Sequence, residues 1–187
     1  MQNTRLILSL TMVLLLLAGV ACGPKDVTIQ TPADQINFSA ADLGPAWSLM
    51  QESGLDEMPA MEQPHVQDAN MRMFSAESIT GMVISIVLNI NTVDAARQEM
   101  SSDTVENFGQ DFKAQFPDMT MERLPPPQVG DEAVLVRGNL SDLGINVYMM
   151  TFRKSNVIVM FNLIAAEDVA TEELVLDCAR MVEGKMQ

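Results

Sequence analysis

Apolar and polar residues alternate most regularly between Gly81 and Asn91, a segment rich in β-branched side chains. One side of this segment carries Met82, Ile84, Ile86, Leu88 and Ile90. A period of two residues is typical of a β-strand with one packed face. The segment therefore predicts a strand with one packed and one half-wet side.

Six more segments predict strands from their apolar content and the turn residues that bound them. They are Trp47–Ser53, Asn70–Phe74, Met119–Leu124, Glu132–Gly138, Ile145–Arg153 and Val157–Ala165. Short polar connections join the last three, which favours antiparallel hairpins. The stretch Gly54–Asp68 holds two prolines and several acidic residues and is expected to be an exposed loop.

A helical period replaces the alternation after Asn91, where Asn91 or Thr92 can cap a helix. One apolar stripe contains Val105, Phe108, Phe112 and Phe116, and Pro117 closes it. A second helix is expected from Asp168 or Thr171, with Leu174, Cys178, Met181 and Val182 on one side. The fold class that follows is α+β: an antiparallel sheet of about five to seven strands packed by two long helices.

The first 23 residues have the organisation of an export signal. Arg5 precedes an uncharged segment, Leu6–Val20, which is too short to span a bilayer as a helix but suits a signal peptide. The segment ends in Ala18-Gly19-Val20-Ala21-Cys22. This ending resembles the lipobox of bacterial lipoproteins, although Gly19 stands where that family most often has Leu. The resemblance implies cleavage after Ala21 and lipidation of Cys22.

Three parts follow from this interpretation: a signal peptide over 1–21, a polar tether over 22–37 and one α+β domain over 38–187. The order of strands and the closing helix resemble small bacterial lipoprotein domains, some of which are similar to the PsbP/Mog1-type fold. That resemblance covers most of the chain after Cys22, but it contains no residue-specific motif. It implies a fold and no activity.

The charge of the chain excludes one class of partner. Once Arg5 leaves with the signal, 25 acidic residues face 10 basic ones, for a net charge of −15. Such a field repels phosphate backbones, so no nucleic-acid partner is expected. It also repels anionic headgroups, so membrane attachment is expected to come from the lipid on Cys22.

Motifs of catalysis, phosphate binding and metal binding do not occur in the sequence, and no cofactor is expected. The single histidine, His65, lies in the acidic stretch and is interpreted as a solvated loop residue. Cys178 is interpreted as a small apolar residue of the core, without a disulfide partner. The chain is therefore expected not to be an enzyme.

Methionine is unusually frequent, with 14 residues left after the signal. Met58, Met61 and His65 together offer ligands that suit Cu(I), as in Met-rich copper carriers. Core filling is the alternative interpretation, because Met packs irregular gaps.

The sequence favours a lipid-anchored, extracytoplasmic binding module at the cell membrane or outer membrane. Its expected partner is another envelope protein or a small apolar ligand. The alternative is a copper carrier that uses Met58, Met61 and His65, and a lesser alternative is a hydrolase with an unrecognised carboxylate site.

Overall fold

The computed structural model describes residues 27–61, 63–76, 81–100 and 116–187. The strands within these ranges are β1 (Ser48–Gly54), β2 (Val66–Ala76), β3 (Gly81–Ile90), β4 (Thr120–Arg123), β5 (Glu132–Leu140), β6 (Ile145–Lys154) and β7 (Val157–Ala166). They form one sheet in the order β1-β2-β3-β7-β6-β5-β4, and every neighbouring pair is antiparallel. The α+β class and all seven predicted strand segments are confirmed.

The helices of the described residues are shorter than the sequence predicts. They are α1 (Ala33–Ile36), α2 (Ala40–Leu43), α3 (Val93–Glu99) and α4 (Glu172–Gly184), with 3-10 turns at Leu55–Glu57, Pro59–Met61 and Ser141–Leu143. None of these helices has the length and apolar character needed to cross a membrane.

The prediction of two long helices is wrong in these ranges, because the core is covered differently. α4 has 13 residues and α3 has seven, each capped by the threonine hydroxyl before it. The rest of the core face is covered by an irregular N-terminal segment, residues 27–43, instead of a second long helix. The predicted stripe positions Val105, Phe108 and Phe112 lie outside the described residues.

The main core lies between one face of the sheet and a layer made of residues 27–43 and α4. Alternate residues of the central strands point into it, and α4 adds its apolar side. Its largest fully buried side chains include Phe38, Phe74, Phe152, Phe161, Ile36 and Leu135. Phe38 and Phe161 meet edge to face, with ring centroids 5.4 Å apart.

The described part of the predicted tether belongs to this core. Ile29, Ala33 and Ile36 are buried, and Asn37 is 1% exposed. Their spacing of four and three residues gives a short helical stripe that packs on the sheet, which the polar composition of the segment obscured. Packing against the sheet therefore begins at Ile29, within the range predicted as a tether.

The end of this N-terminal segment is fastened to the end of the chain by a charged side chain. Lys185 Nζ donates to Asn37 O at 2.9 Å and to Asp42 Oδ2 at 2.6 Å. Burial raises the pKa of Asp42, but hydrogen bonds from Lys185 and Ser39 outweigh it and hold the pKa below its ordinary value. The contact is thus an ion pair that joins α2 to the residues after α4.

Candidate functional site

The first described residues are held by the turn between β6 and β7. Asn156, 2% exposed, accepts a hydrogen bond from Ile29 N at 2.6 Å. Its Nδ2 donates to Ile90 O at 2.9 Å and to Ile29 O at 3.3 Å. Ser155 Oγ adds a hydrogen bond to Val27 O. The chain is therefore fixed to one end of the sheet from residue 27 onward, five residues after Cys22.

A buried guanidinium supports the same turn. Arg153 is 3% exposed and donates to Asp131 Oδ2 at 3.0 Å and to Ser155 O at 2.8 Å. Asp131 Oδ2 also accepts from Ser155 N at 2.7 Å. Gly130 adopts a left-handed conformation (φ +63°) and lies close to the carbonyl of Arg153. The turn is thus braced by charged hydrogen bonds, and Cys22 itself lies outside the described residues.

The three residues of the predicted copper loop lie in the turns between β1 and β2, but their side chains are buried or half-buried. Met58 is 9% exposed and joins a second apolar cluster with residues such as Leu88 and Ile90. Met61 packs against that cluster, and the Nε2 atom of His65 lies 3.0 Å from Glu99 Oε1. The apolar spacing of Met58 and Met61 accounts for this burial, because it places both on one side of the 3-10 turns.

Methionines are concentrated on the sheet face opposite the main core. Two separate apolar clusters lie on this face. One contains Met58, Met61, Met71, Met100 and Met160, and the other contains Met119, Met121 and Met149. Core filling, the alternative interpretation of the methionines, fits Met58, Met100, Met119 and Met149, which are buried.

A polar cleft opens where β4, β5 and β6 meet the segment after β7. We call it the amide–carboxylate cleft; it has a volume of about 470 Å³. Its polar lining consists of Thr120, Glu122, Arg137, Asn139, Asn146 and Glu167, and Met121 completes it. Strand geometry explains the grouping, since Thr120 pairs with Asn139, Glu122 with Arg137, and Asn139 with Asn146.

Hydrogen bonds fix one wall of the cleft. Asn139 Nδ2 donates to Asn146 Oδ1 and to Glu167 Oε1, both at 2.8 Å. Ser141 Oγ donates to Asn139 Oδ1, and Asn146 Nδ2 reaches Ala170 O at 3.4 Å. The two amides and the Glu167 carboxylate are therefore held in place before any ligand arrives.

The other wall is an ion pair across two strands. Arg137 Nη2 lies 2.6 Å from Glu122 Oε2, and both side chains are substantially exposed. The Glu122 carboxylate, with Tyr148 nearby, raises the pKa of the Arg137 guanidinium, so this side chain stays charged. The cleft as a whole presents two carboxylates, one guanidinium and two amides.

No sequence motif marks this cleft. Arg137 and Asn139 lie on the same face of β5 as Leu135, which points into the core. Polar residues at inward-facing positions of a strand were the available signal, because such positions are apolar unless they line a cavity. No motif spacing connects the lining residues, since they come from β4, β5, β6 and the segment after β7.

Burial makes Cys178 a poor candidate for a reactive thiol. Cys178 is 7% exposed, and burial raises the pKa of its thiol to about 11. Within residues 27–61, 63–76, 81–100 and 116–187, no three His, Cys, Asp or Glu side chains come together as a metal site.

Fold and cleft together define an antiparallel α+β domain with a polar surface site. A similar fold occurs in the crystal structure of the extracellular domain of PknH from Mycobacterium tuberculosis. The TM-score is 0.57 at 12% identity, with 87% of this chain and 98% of that chain covered. At this identity the likeness concerns the fold alone. No family model matches the sequence, and no curated protein does.

Proposed function

We propose that this protein is a lipid-anchored, extracytoplasmic binding module without catalytic activity, held at a membrane by Cys22. The observation that supports this most is the fastening of Val27 and Ile29 to the β6–β7 turn. Because the lipobox cysteine lies only five residues before Val27, the linker between the lipid and the packed domain would be short.

This short linker would set the orientation of the domain on the membrane. Five residues span at most about 18 Å at roughly 3.6 Å per residue, so the β6–β7 turn stands close to the headgroups. Asn146 lies nine residues before Ser155 along the β6 direction, about 30 Å at ~3.4 Å per residue. The amide–carboxylate cleft therefore opens at the end of the sheet that faces away from the membrane.

The remaining properties fit this role. The net charge of −15 after the signal keeps the domain off anionic headgroups, so the lipid supplies the attachment. The mycobacterial structure with a similar fold is an extracellular domain. The lining of the cleft contains carboxylate, guanidinium and amide groups that can form hydrogen bonds to a partner. That partner would approach from the extracytoplasmic side.

Metabolic labelling with palmitate tests the anchor, and the two cysteines provide a matched pair of variants. Cys22→Ala is expected to abolish incorporation and to release or mislocalise the protein, whereas Cys178→Ala is expected to leave labelling unchanged. Palmitate incorporation that survives in Cys22→Ala would exclude the lipoprotein assignment.

A copper carrier is the second candidate, favoured by one observation. Met58 and Met61 share their cluster with three further thioethers, Met71, Met100 and Met160, and thioethers suit Cu(I). Under reducing conditions, Cu(I) competition titration is expected to show binding tighter than micromolar that is lost in Met58→Leu/Met61→Leu. The exposed Met50→Leu is the control. Binding no tighter than micromolar would remove this candidate.

A further inference from the structure

We propose that the amide–carboxylate cleft binds a short uncharged saccharide. This inference rests on the proposed role as a binding module and names the ligand class of its membrane-distal site. It does not depend on the lipid, because the cleft lies at the other end of the sheet.

The size of the cleft fits a small ligand. Its volume of about 470 Å³ lies within the roughly 300–1,000 Å³ of small-molecule sites. Its lining differs from most such sites because polar side chains dominate it. An apolar ligand would leave these groups without partners, so a polar ligand suits this cleft better than an apolar one.

The charges of the cleft select against anions. Glu122 already occupies Arg137, at 2.6 Å, and Glu167 adds a second negative charge. Together with the acidic domain, these carboxylates repel phosphates and carboxylates. An uncharged ligand avoids that cost.

The arrangement of donors and acceptors matches hydroxyl groups. Carboxylate oxygens on Glu122 and Glu167 can accept, and the guanidinium of Arg137 can donate. The second N–H of Asn146 Nδ2 can also donate, and Asn139 Oδ1 can accept a further hydrogen bond. A sugar hydroxyl also donates and accepts, so neighbouring hydroxyls can bridge these groups.

A further feature favours a saccharide over a simple alcohol. The hydrogen bonds of Asn139 to Asn146 and Glu167 order the polar wall in advance. Preorganisation lowers the entropy lost on binding, which a ligand with many hydroxyls exploits.

Calorimetric titration of the processed full-length protein tests the proposal. The protein is kept in lauryldimethylamine oxide, because maltoside detergents carry a competing sugar. The probes are N-acetylglucosamine, cellobiose and maltose, with inorganic phosphate and glycerol as comparison ligands. At least one saccharide is expected to bind below 10 mM, and phosphate and glycerol are not.

Variants assign the binding to the cleft. Glu167→Gln and Asn139→Ala are each expected to weaken saccharide binding at least tenfold, and circular dichroism checks their folding. Asn91→Ala, an exposed asparagine at the other end of the sheet, is expected to change nothing. Glu167→Gln keeps the shape of the side chain, so it tests the site even if Asn139→Ala fails to fold.

Two results would overturn the inference. One is a folded protein that binds none of the three saccharides at 10 mM, and the other is binding that both cleft variants leave intact. Release of new reducing ends from the disaccharides would support saccharide binding but overturn the proposal of a module without catalytic activity, because the two carboxylates would then act as a hydrolase pair. Palmitate labelling reads the anchor and calorimetry reads the cleft, so either proposal can fail alone.

Discussion

Ile29 and Asn156 are joined by a reciprocal pair of hydrogen bonds across 127 residues of sequence, with Ile29 N donating to the side chain at 2.6 Å and Ile29 O accepting from it at 3.3 Å. The same side chain holds Ile90 O at the end of β3. One asparagine therefore satisfies three backbone groups that have little access to water.

Replacement of Asn156 by Ala is expected to lower the free energy of unfolding by about 3 kcal/mol or more, since each buried group left unpaired costs about 1–3 kcal/mol. Urea unfolding followed by circular dichroism measures the loss. Asn91→Ala, at an exposed position, serves as the control with a change within about 0.5 kcal/mol. Equal stabilities of the two variants would contradict the role of Asn156.

Two glycines in the left-handed region offer a matched test of steric contact. Gly130 (φ +63°) and Gly144 (φ +61°) share a conformation, but a Cβ on Gly130 would lie 2.4 Å from Arg153 O, whereas one on Gly144 would meet nothing within 4 Å. Gly144→Ala is expected to cost about 1–2 kcal/mol from backbone strain.

Gly130→Ala is expected to cost about 1–3 kcal/mol more, because the braced turn must move. Thermal unfolding of both variants gives the comparison. Equal stability of the Gly130→Ala and Gly144→Ala proteins would show that the turn at Gly130 can move without loss of stability.

The Asp42–Lys185 contact predicts a dependence of stability on pH. The pKa of Asp42 in the folded protein lies below its ordinary value, so the unfolded chain holds the proton more tightly. The contribution to stability is complete above about pH 5 and is lost as the pH falls through the folded-state pKa.

Asp42→Asn is therefore expected to lose about 1–2 kcal/mol at pH 7 and less at pH 3. Urea midpoints at both pH values measure this convergence, with Asp34→Asn, an exposed aspartate in α1, as control. A gap that stays constant or widens at low pH would refute the assignment.

Cys178 is expected to resist alkylation in the folded protein. A pKa of about 11 leaves about 100-fold less thiolate at neutral pH than the ordinary value of 9.0, and burial blocks access. Iodoacetamide labelling of residue 178, followed by peptide mass spectrometry, should rise only across the unfolding transition. A cysteine introduced by Leu143→Cys, at a position 67% exposed, should react at once. Comparable rates at the two sites in native protein would show that Cys178 is accessible.

The sequence predicted the sheet well because strand alternation is a local signal. Every strand segment from Trp47 to Ala165 was recognised, and the capping threonines Thr92 and Thr171 lie where two helices begin. The antiparallel β5-β6-β7 order followed from short connections alone. The position of β3 beside β7 required the three-dimensional structure, since the pairing joins distant segments.

The structure differs from the sequence-based expectation where the polar composition of a segment conceals its packed residues. Prolines and acidic residues around Met58 and Met61 favour an exposed loop, although the two methionines pack on the sheet face opposite the main core. Polar residues around Ile29 suggested a tether, although backbone groups there are satisfied by Asn156. The cleft was missed because Asn139, Asn146 and Glu167 converge only after β5, β6 and β7 pair.

The hydrogen bond from Thr31 Oγ1 to Gln187 O, 3.0 Å long, has a practical consequence for imaging and affinity tagging. If Cys22 carries the proposed lipid, a fluorescent protein or tag fused after Gln187 is expected to lie beside the bilayer. An insertion in the loop at Ser141–Leu143 would then extend away from the membrane but would crowd the cleft. A small epitope at the turn beside Gly44, which has open space around it, is expected to avoid both the bilayer and the cleft.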